Sequence, residues 1–146
     1  MSRIVSQVMT ALAGVGLLAA LALAFEYAPI EAQMGIVQKI FYFHVPSAYT
    51  MYLAWGVCAV CSIVYLVTRK PRFDMLAKSA AELALLFAVL VLITGPLWGR
   101  KSWGTYWTWD PRLTSSLLLF LIMVSYALLR SLARGEVERR FAAALA

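Results

Sequence analysis

Long apolar runs alternate with short charged segments along this chain. Four runs without acidic or basic residues cover 4–25, 45–68, 83–99 and 113–129. A helix of about 17 residues or more can cross the apolar core of a bilayer, and the last two runs sit at that limit. The pattern predicts an all-α, polytopic integral membrane helix bundle. We expect residues 1–146 to form a single membrane domain with four transmembrane helices at about 5–25, 46–68, 81–98 and 112–131.

The first apolar run also resembles a secretory signal, because Arg3 precedes it and the small residues ALALA occur near its end. Signal peptides carry an apolar region of about 7–15 residues, and this run is longer. The sequence therefore favours an uncleaved first helix. Cleavage would leave the predicted orientation of the other helices unchanged.

The placement of the basic residues predicts the orientation of the helices. The chain is 63% hydrophobic and 14% charged, with a formal net charge of +6. Nine of its thirteen Lys and Arg residues lie at the termini or in the 69–82 loop, and four lie in the 26–44 and 100–112 loops. The positive-inside rule predicts cytoplasmic termini and a cytoplasmic 69–82 loop. Topology thus explains the basic charge, and no nucleic-acid partner is expected.

Capping and proline signals predict where the helices begin and end. Ser79 and Glu82 form a capping-box pattern that would start the third helix. Pro96 predicts that this helix kinks or ends near its outer end. Asp110 before Pro111 predicts an N-cap followed by the first residue of the fourth helix.

A second proline predicts the position of the histidine. Pro46 fits the first turn of the second helix, which would leave His44 just outside it, at the outer membrane surface. Upstream, the apolar residues of 36–43 favour a short helix lying along the interface. After Arg139 and Arg140 the tail turns apolar, so 141–146 looks like the opening of a fifth span that is not present.

The CxxC formed by Cys58 and Cys61 lies in the middle of the second apolar run. With neither a second cysteine pair nor a following histidine, metal binding and haem attachment are weak interpretations. Buried, small apolar residues are the better one.

The segment between the last two apolar runs is unusually aromatic. Four of the five tryptophans lie within 98–109, and we predict an external tryptophan-rich loop at 99–111. In a helix, one face would carry Trp103, Tyr106, Trp107 and Asp110; in an extended segment, it would carry Trp103, Thr105, Trp107 and Trp109. Interfacial anchoring explains single tryptophans such as Trp98. Either geometry of the whole cluster also makes a wall for a planar apolar ligand.

Cations and a histidine fall on the same predicted side as this wall. Arg100, Lys101 and Arg112 flank it and could meet ligand carboxylates, although each alone also suits a lipid phosphate. His44, the chain's only histidine, could be an ordinary interface residue. Taken together, the stacking surface, the cations and the imidazole match the needs of haem. They favour a haem site.

The same residues carry a family resemblance. WGTYWTWDPRLTSSLLLFL resembles the tryptophan-rich signature, or WWD domain, of the cytochrome c assembly family. IFYFHVPSA and LITGPLWGRKSWGTYWTWD are similar to that family's external histidine segment and to its third helix and external loop. The resemblance extends from about residue 26 to 130. The positions that match the signature are Trp103, Gly104, Thr105, Trp107, Trp109, Asp110, Arg112, Leu113 and Thr114.

The resemblance implies a protein of the bacterial inner (cytoplasmic) membrane that holds haem b non-covalently at its outer, periplasmic face. It further implies delivery of that haem to a periplasmic haem chaperone during c-type cytochrome maturation. The implied partners are an ABC transporter and small membrane subunits of the same pathway. His44 matches the first axial ligand, and the haem-facing loop matches at Trp103, Trp107, Trp109 and Asp110.

Two departures from the family pattern affect the prediction. Tyr106 stands where tryptophan is frequent, a small change because a phenol still stacks. The family also has six spans, with a second external histidine after the fifth, and this sequence stops earlier. We therefore expect a fragment or a truncated product that lacks one axial ligand, with a partner chain or weak haem binding as alternatives.

Two other function classes fit the apolar pattern. A membrane subunit of an oxidoreductase could hold a quinone against the same aromatic wall, and a structural subunit could use its tryptophans only as anchors. An enzyme is not expected, because the sequence shows no paired carboxylates, nucleophile-base arrangement or phosphate loop.

Overall fold

The computed structural model describes residues 3–132, 135, 139–140 and 143–144. Its helices are α1 (Arg3–Ala22), α2 (Phe41–Thr68), α3 (Pro71–Trp103) and α4 (Pro111–Leu132). A π-helical turn, Leu23–Tyr27, extends α1, and a 3-10 turn, Ile36–Ile40, leads into α2. Each of the four is long and apolar enough to cross a membrane. The predicted all-α fold with four spans is confirmed; the predicted opening of a fifth, at 141–146, lies outside the described residues except for 143–144.

Helices α2 and α3 pack closely because α3 turns a face of small residues toward α2. This buried face consists of Ala77, Ala81, Ala84, Ala88 and Val91. Small residues let two helix backbones approach, which is how helices associate in an apolar solvent. From α4, Met123 and Tyr126 complete the core, and the ring of Tyr126 meets Trp55 edge-on at 5.6 Å between centroids.

The start of α2 differs from the prediction. Helical backbone continues from the 3-10 turn through Ile40 and Phe41, so α2 begins at Phe41 and Pro46 lies inside it. His44 is therefore in the first turns of the helix and not outside it, and this prediction was wrong. The proline costs α2 one backbone hydrogen bond, because Pro46 has no N–H to donate toward the carbonyl of Tyr42.

Both ends of α3 also lie beyond their predicted positions. Arg69 adopts a left-handed conformation (φ 57°) that ends α2, and Pro71 occupies the first position of α3. A proline there is pre-organised for a helix start. The predicted capping box is therefore mid-helix, where Glu82 instead forms an exposed ion pair with Lys78 at 3.8 Å.

At its other end α3 continues to Trp103. Pro96 does not end the helix, and the last turn contains Arg100 and Lys101. The tryptophan-rich segment that is not helical is thus 104–110, shorter than the predicted loop of 99–111.

A buried ion pair joins α3 to α4 at the end where α3 begins. The Arg130 guanidinium lies 2.7 Å from an Asp74 carboxylate oxygen, and both side chains are largely buried. Arg130 also donates to the Asp74 carbonyl and to the Tyr126 hydroxyl. The charge pattern alone predicted Arg130 only as a basic residue of the tail. In the structure it links two helices.

The CxxC cysteines contribute to helix packing. Cys58 is completely buried against Ala77, Ala81 and Tyr126, and Cys61 is half-buried beside this cluster. Both thiols are free. The prediction of buried, small apolar residues is confirmed for Cys58.

Candidate functional site

A cavity of about 670 Å³ lies between α2, α3 and the first turns of α4. Its wall includes His44, Trp98, Trp103, Trp107 and Arg112. The volume falls within the range of about 300–1,000 Å³ that cofactor and ligand sites occupy. The cavity thus brings His44 together with three tryptophans and an arginine that lie more than 50 residues later in the sequence, within 98–112.

Helix α3 holds His44 in place. The imidazole Nδ1 lies 2.9 Å from the Thr94 hydroxyl oxygen. At the next residue, Gly95, a Cβ would come within 3.2 Å of His44 Cε1, so the ring packs directly on the α3 backbone. His44 is half-buried and lines the cavity.

The aromatic side of the cavity is a connected set of rings. Trp98 meets Trp103 edge-on at 5.7 Å between centroids and lies 6.0 Å from the ring of Phe41. The Trp98 indole N–H donates to the Gln38 side-chain oxygen. The sequence position of Trp98 predicted only an interfacial anchor, but in the structure Trp98 lines the cavity.

Asp110 orders the segment that follows α3. One carboxylate oxygen accepts the backbone N–H groups of Arg112 and Leu113 at 2.9 and 3.0 Å, and the other accepts the Thr108 hydroxyl. The predicted N-cap is confirmed. The N–H of Leu113, followed by the Thr108 hydroxyl and the N–H of Arg112, lowers the pKa of Asp110 below its ordinary value. Asp110 is absent from the cavity wall.

Two of the three predicted cationic partners, Arg112 and Arg100, have different positions. The Arg112 guanidinium lies 5.1 Å from the centroid of the Trp103 ring and lines the cavity. Arg100 instead donates to the carbonyl of Gly104 and covers the ring of Tyr106 at 5.6 Å. Arg100 therefore supports the end of α3, and the structure does not bring it to the cavity.

Two residues of the predicted aromatic wall, Trp109 and Tyr106, also lie away from the cavity. Trp109 is 76% exposed and contacts Trp107 edge-on at 5.7 Å between centroids. Tyr106 is exposed as well. Trp107 itself lines the cavity, and its indole N–H is buried without an acceptor among the described residues. An unpaired buried donor costs about 1–3 kcal/mol relative to a hydrogen-bonded one.

Sequence reasoning missed Thr94 and Gly95, which hold the imidazole. The signal was a threonine and a glycine inside the otherwise apolar run LVLITGPLW. A lone threonine in a span also bonds its own helix, so only the α2–α3 register identifies His44 as its partner.

A second groove, of about 720 Å³, lies near the buried ion pair between α3 and α4. Five of the eleven residues that line it are charged, namely Asp74, Lys78, Glu82, Arg130 and Arg139. Acidic and basic groups alternate there and pair with one another. A planar, mostly apolar ligand fits the aromatic cavity better than this groove.

The four apolar helices and the aromatic cavity define a multi-pass membrane protein with a candidate ligand site between its helices. Comparison with protein families gives a match to the model of heme exporter protein C over residues 1–146. The chain belongs to the heme exporter protein C family.

Individual relatives agree with this assignment. The chain is 50% identical over 95 residues to "Heme exporter protein C" of Bradyrhizobium diazoefficiens, covering 65% of this chain and 36% of the relative. It is 40% identical over 110 residues to the protein of that name from Rhodobacter capsulatus, covering 75% of this chain and 46% of the relative. A "Putative cytochrome c biosynthesis ccmC-like mitochondrial protein" of Marchantia polymorpha is 42% identical over 103 residues, covering 70% of this chain and 45% of the relative. The matched region thus spans less than half the length of these relatives.

Proposed function

We propose that this chain binds haem b non-covalently as cargo in the aromatic cavity, with His44 as one axial ligand of the iron. One observation carries the proposal: His44, Trp103, Trp107 and Arg112 line the same cavity of about 670 Å³. Membership of the heme exporter protein C family supports it.

The chemistry of the wall suits each part of a haem molecule. Indole faces provide apolar stacking area for the porphyrin. An arginine beside them can pair bidentately with a propionate carboxylate. A neutral imidazole supplies the nitrogen that haem iron binds. In this proposal Trp103 and Trp107 contact the porphyrin, Arg112 meets a propionate and His44 binds the iron.

The other predicted residues act through the shape of the loop. Asp110 caps α4 and orients the segment that carries Trp107. Trp109 packs on Trp107, and Arg100 with Tyr106 supports the end of α3. We assign these four to positioning the cavity wall and not to direct contact with haem.

We further propose that the cavity faces the periplasm at the bacterial inner membrane, with both termini cytoplasmic. Nine basic residues on one predicted side against four on the other support this orientation. Haem presented there would pass to a periplasmic haem chaperone for c-type cytochrome maturation. An ABC transporter and small membrane subunits of the pathway are the proposed partners. The protein would relocate haem without altering it, which is not enzyme chemistry.

A titration with ferric haem tests the proposal. The detergent-purified chain, carrying an affinity tag without histidine, should give a saturable Soret shift. His44→Ala should weaken binding by about 100-fold, equivalent to ~2.7 kcal/mol. Iron-free protoporphyrin is the matched control: it offers no axial position, so both proteins should bind it equally.

The competing functions predict different results. A quinone site would bind a short-chain ubiquinone saturably and would show no Soret change that depends on His44. A purely structural role would give no saturable binding of either haem or ubiquinone, and Trp107→Leu would leave both titrations unchanged. Ferric haem binding that is equal in the parent chain and His44→Ala would reject His44 as ligand.

A further inference from the structure

The hydrogen bond between α2 and α3 at the cavity involves one of the two nitrogens of His44. Nδ1 lies 2.9 Å from Thr94 Oγ1, across 50 residues of sequence. Both residues are half-buried. If Nδ1 donates the proton of this bond, the neutral ring keeps a free lone pair on Nε2. If the Thr94 hydroxyl donates it, the ring proton lies on Nε2.

A second contact of Thr94 indicates the direction of this bond. The Thr94 hydroxyl donates to the carbonyl of Leu90, one turn earlier in α3, at 2.7 Å. A hydroxyl has a single proton, so a hydroxyl that donates to Leu90 can only accept from the imidazole. This contact therefore assigns the proton to His44 Nδ1. A neutral imidazole has only one N–H, which leaves Nε2 with its lone pair.

The α3 backbone restricts the ring as well. Gly95 leaves room for the His44 Cε1 edge, and a Cβ there would meet that atom at 3.2 Å. Within the part of the chain that the structure describes, Nε2 makes no hydrogen bond. Thr94 and Gly95 together thus hold one edge of the ring against α3 while His44 lines the cavity.

We propose that Thr94 is a positioning residue that fixes His44 in the Nδ1–H tautomer and so makes Nε2 the iron-binding atom. The inference rests on the proposed haem function. Histidines that bind metals commonly donate their other N–H to a fixed acceptor, which sets the tautomer and the ring orientation. Here a hydroxyl held by its own helix is that acceptor.

The tautomer can be measured without haem, because His44 is the only histidine in the chain. Labelling with ring-15N histidine gives one imidazole, and its two nitrogen shifts distinguish the N–H from the lone-pair nitrogen. We would record them for the haem-free full chain at pH 8, above the ordinary imidazole pKa of about 6.5. The expected result is Nδ1–H in the parent chain and in Thr94→Ser, with a shift toward Nε2–H in Thr94→Val. An Nε2–H parent chain, or an unchanged Thr94→Val, would overturn the inference.

Ferric haem titrations of the same variants test the role in binding. Thr94→Val should bind about 10- to 100-fold more weakly with an altered Soret maximum, and Thr94→Ser should stay near the parent chain. Gly95→Ala is a second variant that keeps the hydroxyl and displaces the ring, so it should weaken haem binding with Nδ1–H retained. Iron-free protoporphyrin, which needs no axial ligand, should bind all variants alike and so reports folding.

The proposed function and this inference fail in different ways. If His44→Ala binds ferric haem like the parent chain, the His44 ligand assignment of the proposed function is rejected whatever the tautomer is. If His44→Ala loses haem while Thr94→Val keeps both its affinity and its spectrum, the function stands and the positioning role of Thr94 is wrong.

Discussion

Polar side chains in the apolar bundle are paired differently toward the two ends of α3. Near its start, Asp74 pairs with Arg130 at 2.7 Å, so two charges neutralise each other between helices. About 30 Å further along the helix, Thr94 contacts His44 beside a cavity. At the charged end, the guanidinium pairs with one carboxylate oxygen, whereas Asp74 Oδ1 and Arg130 Nε have no hydrogen-bond partner among the described residues. At the aromatic end, one His44 ring nitrogen has no hydrogen bond among the described residues, and the ring lines a cavity. We infer that the first end holds α3 to α4 and the second binds a ligand.

Removing one partner of the buried pair should produce the largest effect on stability. Asp74→Ala leaves the Arg130 charge buried without its carboxylate, which should lower the free energy of unfolding by about 3–5 kcal/mol. Thermal unfolding in detergent, followed by circular dichroism, measures the change. Lys78→Ala is the matched control, because its exposed ion pair with Glu82 contributes at most about 1 kcal/mol. Equal losses in both variants would contradict a special role for the buried pair.

The aromatic end should respond in ligand binding, and unequally between neighbouring tryptophans. Trp107 lines the cavity, whereas Trp109 is exposed and only packs on it. Trp107→Leu should weaken ferric haem binding by about tenfold, or ~1.4 kcal/mol, and Trp109→Leu by about twofold. Fluorescence quenching titrations give both affinities. The larger loss in Trp109→Leu would show that the wall is assigned to the wrong face of the loop.

The length and apolarity of the runs were sufficient to predict the four spans, because crossing a bilayer depends on little else. The helix ends were not predictable in the same way. Pro46 and Pro96 both lie inside helices. Transmembrane helices tolerate proline because neighbouring helices, hydroxyl side chains and local backbone adjustments can satisfy the freed backbone groups. Proline is therefore a weaker stop signal in a span than in a water-soluble helix.

The candidate site was predictable in its residue types and not in its geometry. The sequence singled out His44, Trp103, Trp107 and Arg112, and the structure places all four around one cavity. It could not assign Arg100 and Trp109 to supporting positions. That distinction depends on the last turn of α3, which continues past the predicted helix end. The contact of Thr94 with His44 depends on the register of α3 against α2, and no local sequence pattern contains that register.

The smallest expected effect concerns the cap of α4 and its pH dependence. The pKa of Asp110 is lowered in the folded protein, chiefly by the N–H of Leu113. The cap should therefore stabilise fully above the unfolded pKa of about 3.9 and lose this contribution as pH falls through the lower folded value. Asp110→Asn retains a capping oxygen, so its stability should fall less between pH 5 and pH 3. Equal losses of thermal stability between pH 5 and pH 3 in Asp110→Asn and the parent chain would contradict the assignment.

The central proposal is that His44 binds haem iron inside the aromatic cavity. Its most direct test removes the His44 imidazole by mutation and replaces it with free imidazole. Ferric haem would be titrated into the detergent-purified His44→Ala chain with and without free imidazole. If the cavity holds haem with its iron facing position 44, imidazole should enter the vacated space and restore a Soret band close to that of the parent chain. Free haem with imidazole in the same detergent is the control. A His44→Ala chain that binds haem like the parent, or an imidazole effect no different from that control, would contradict the account.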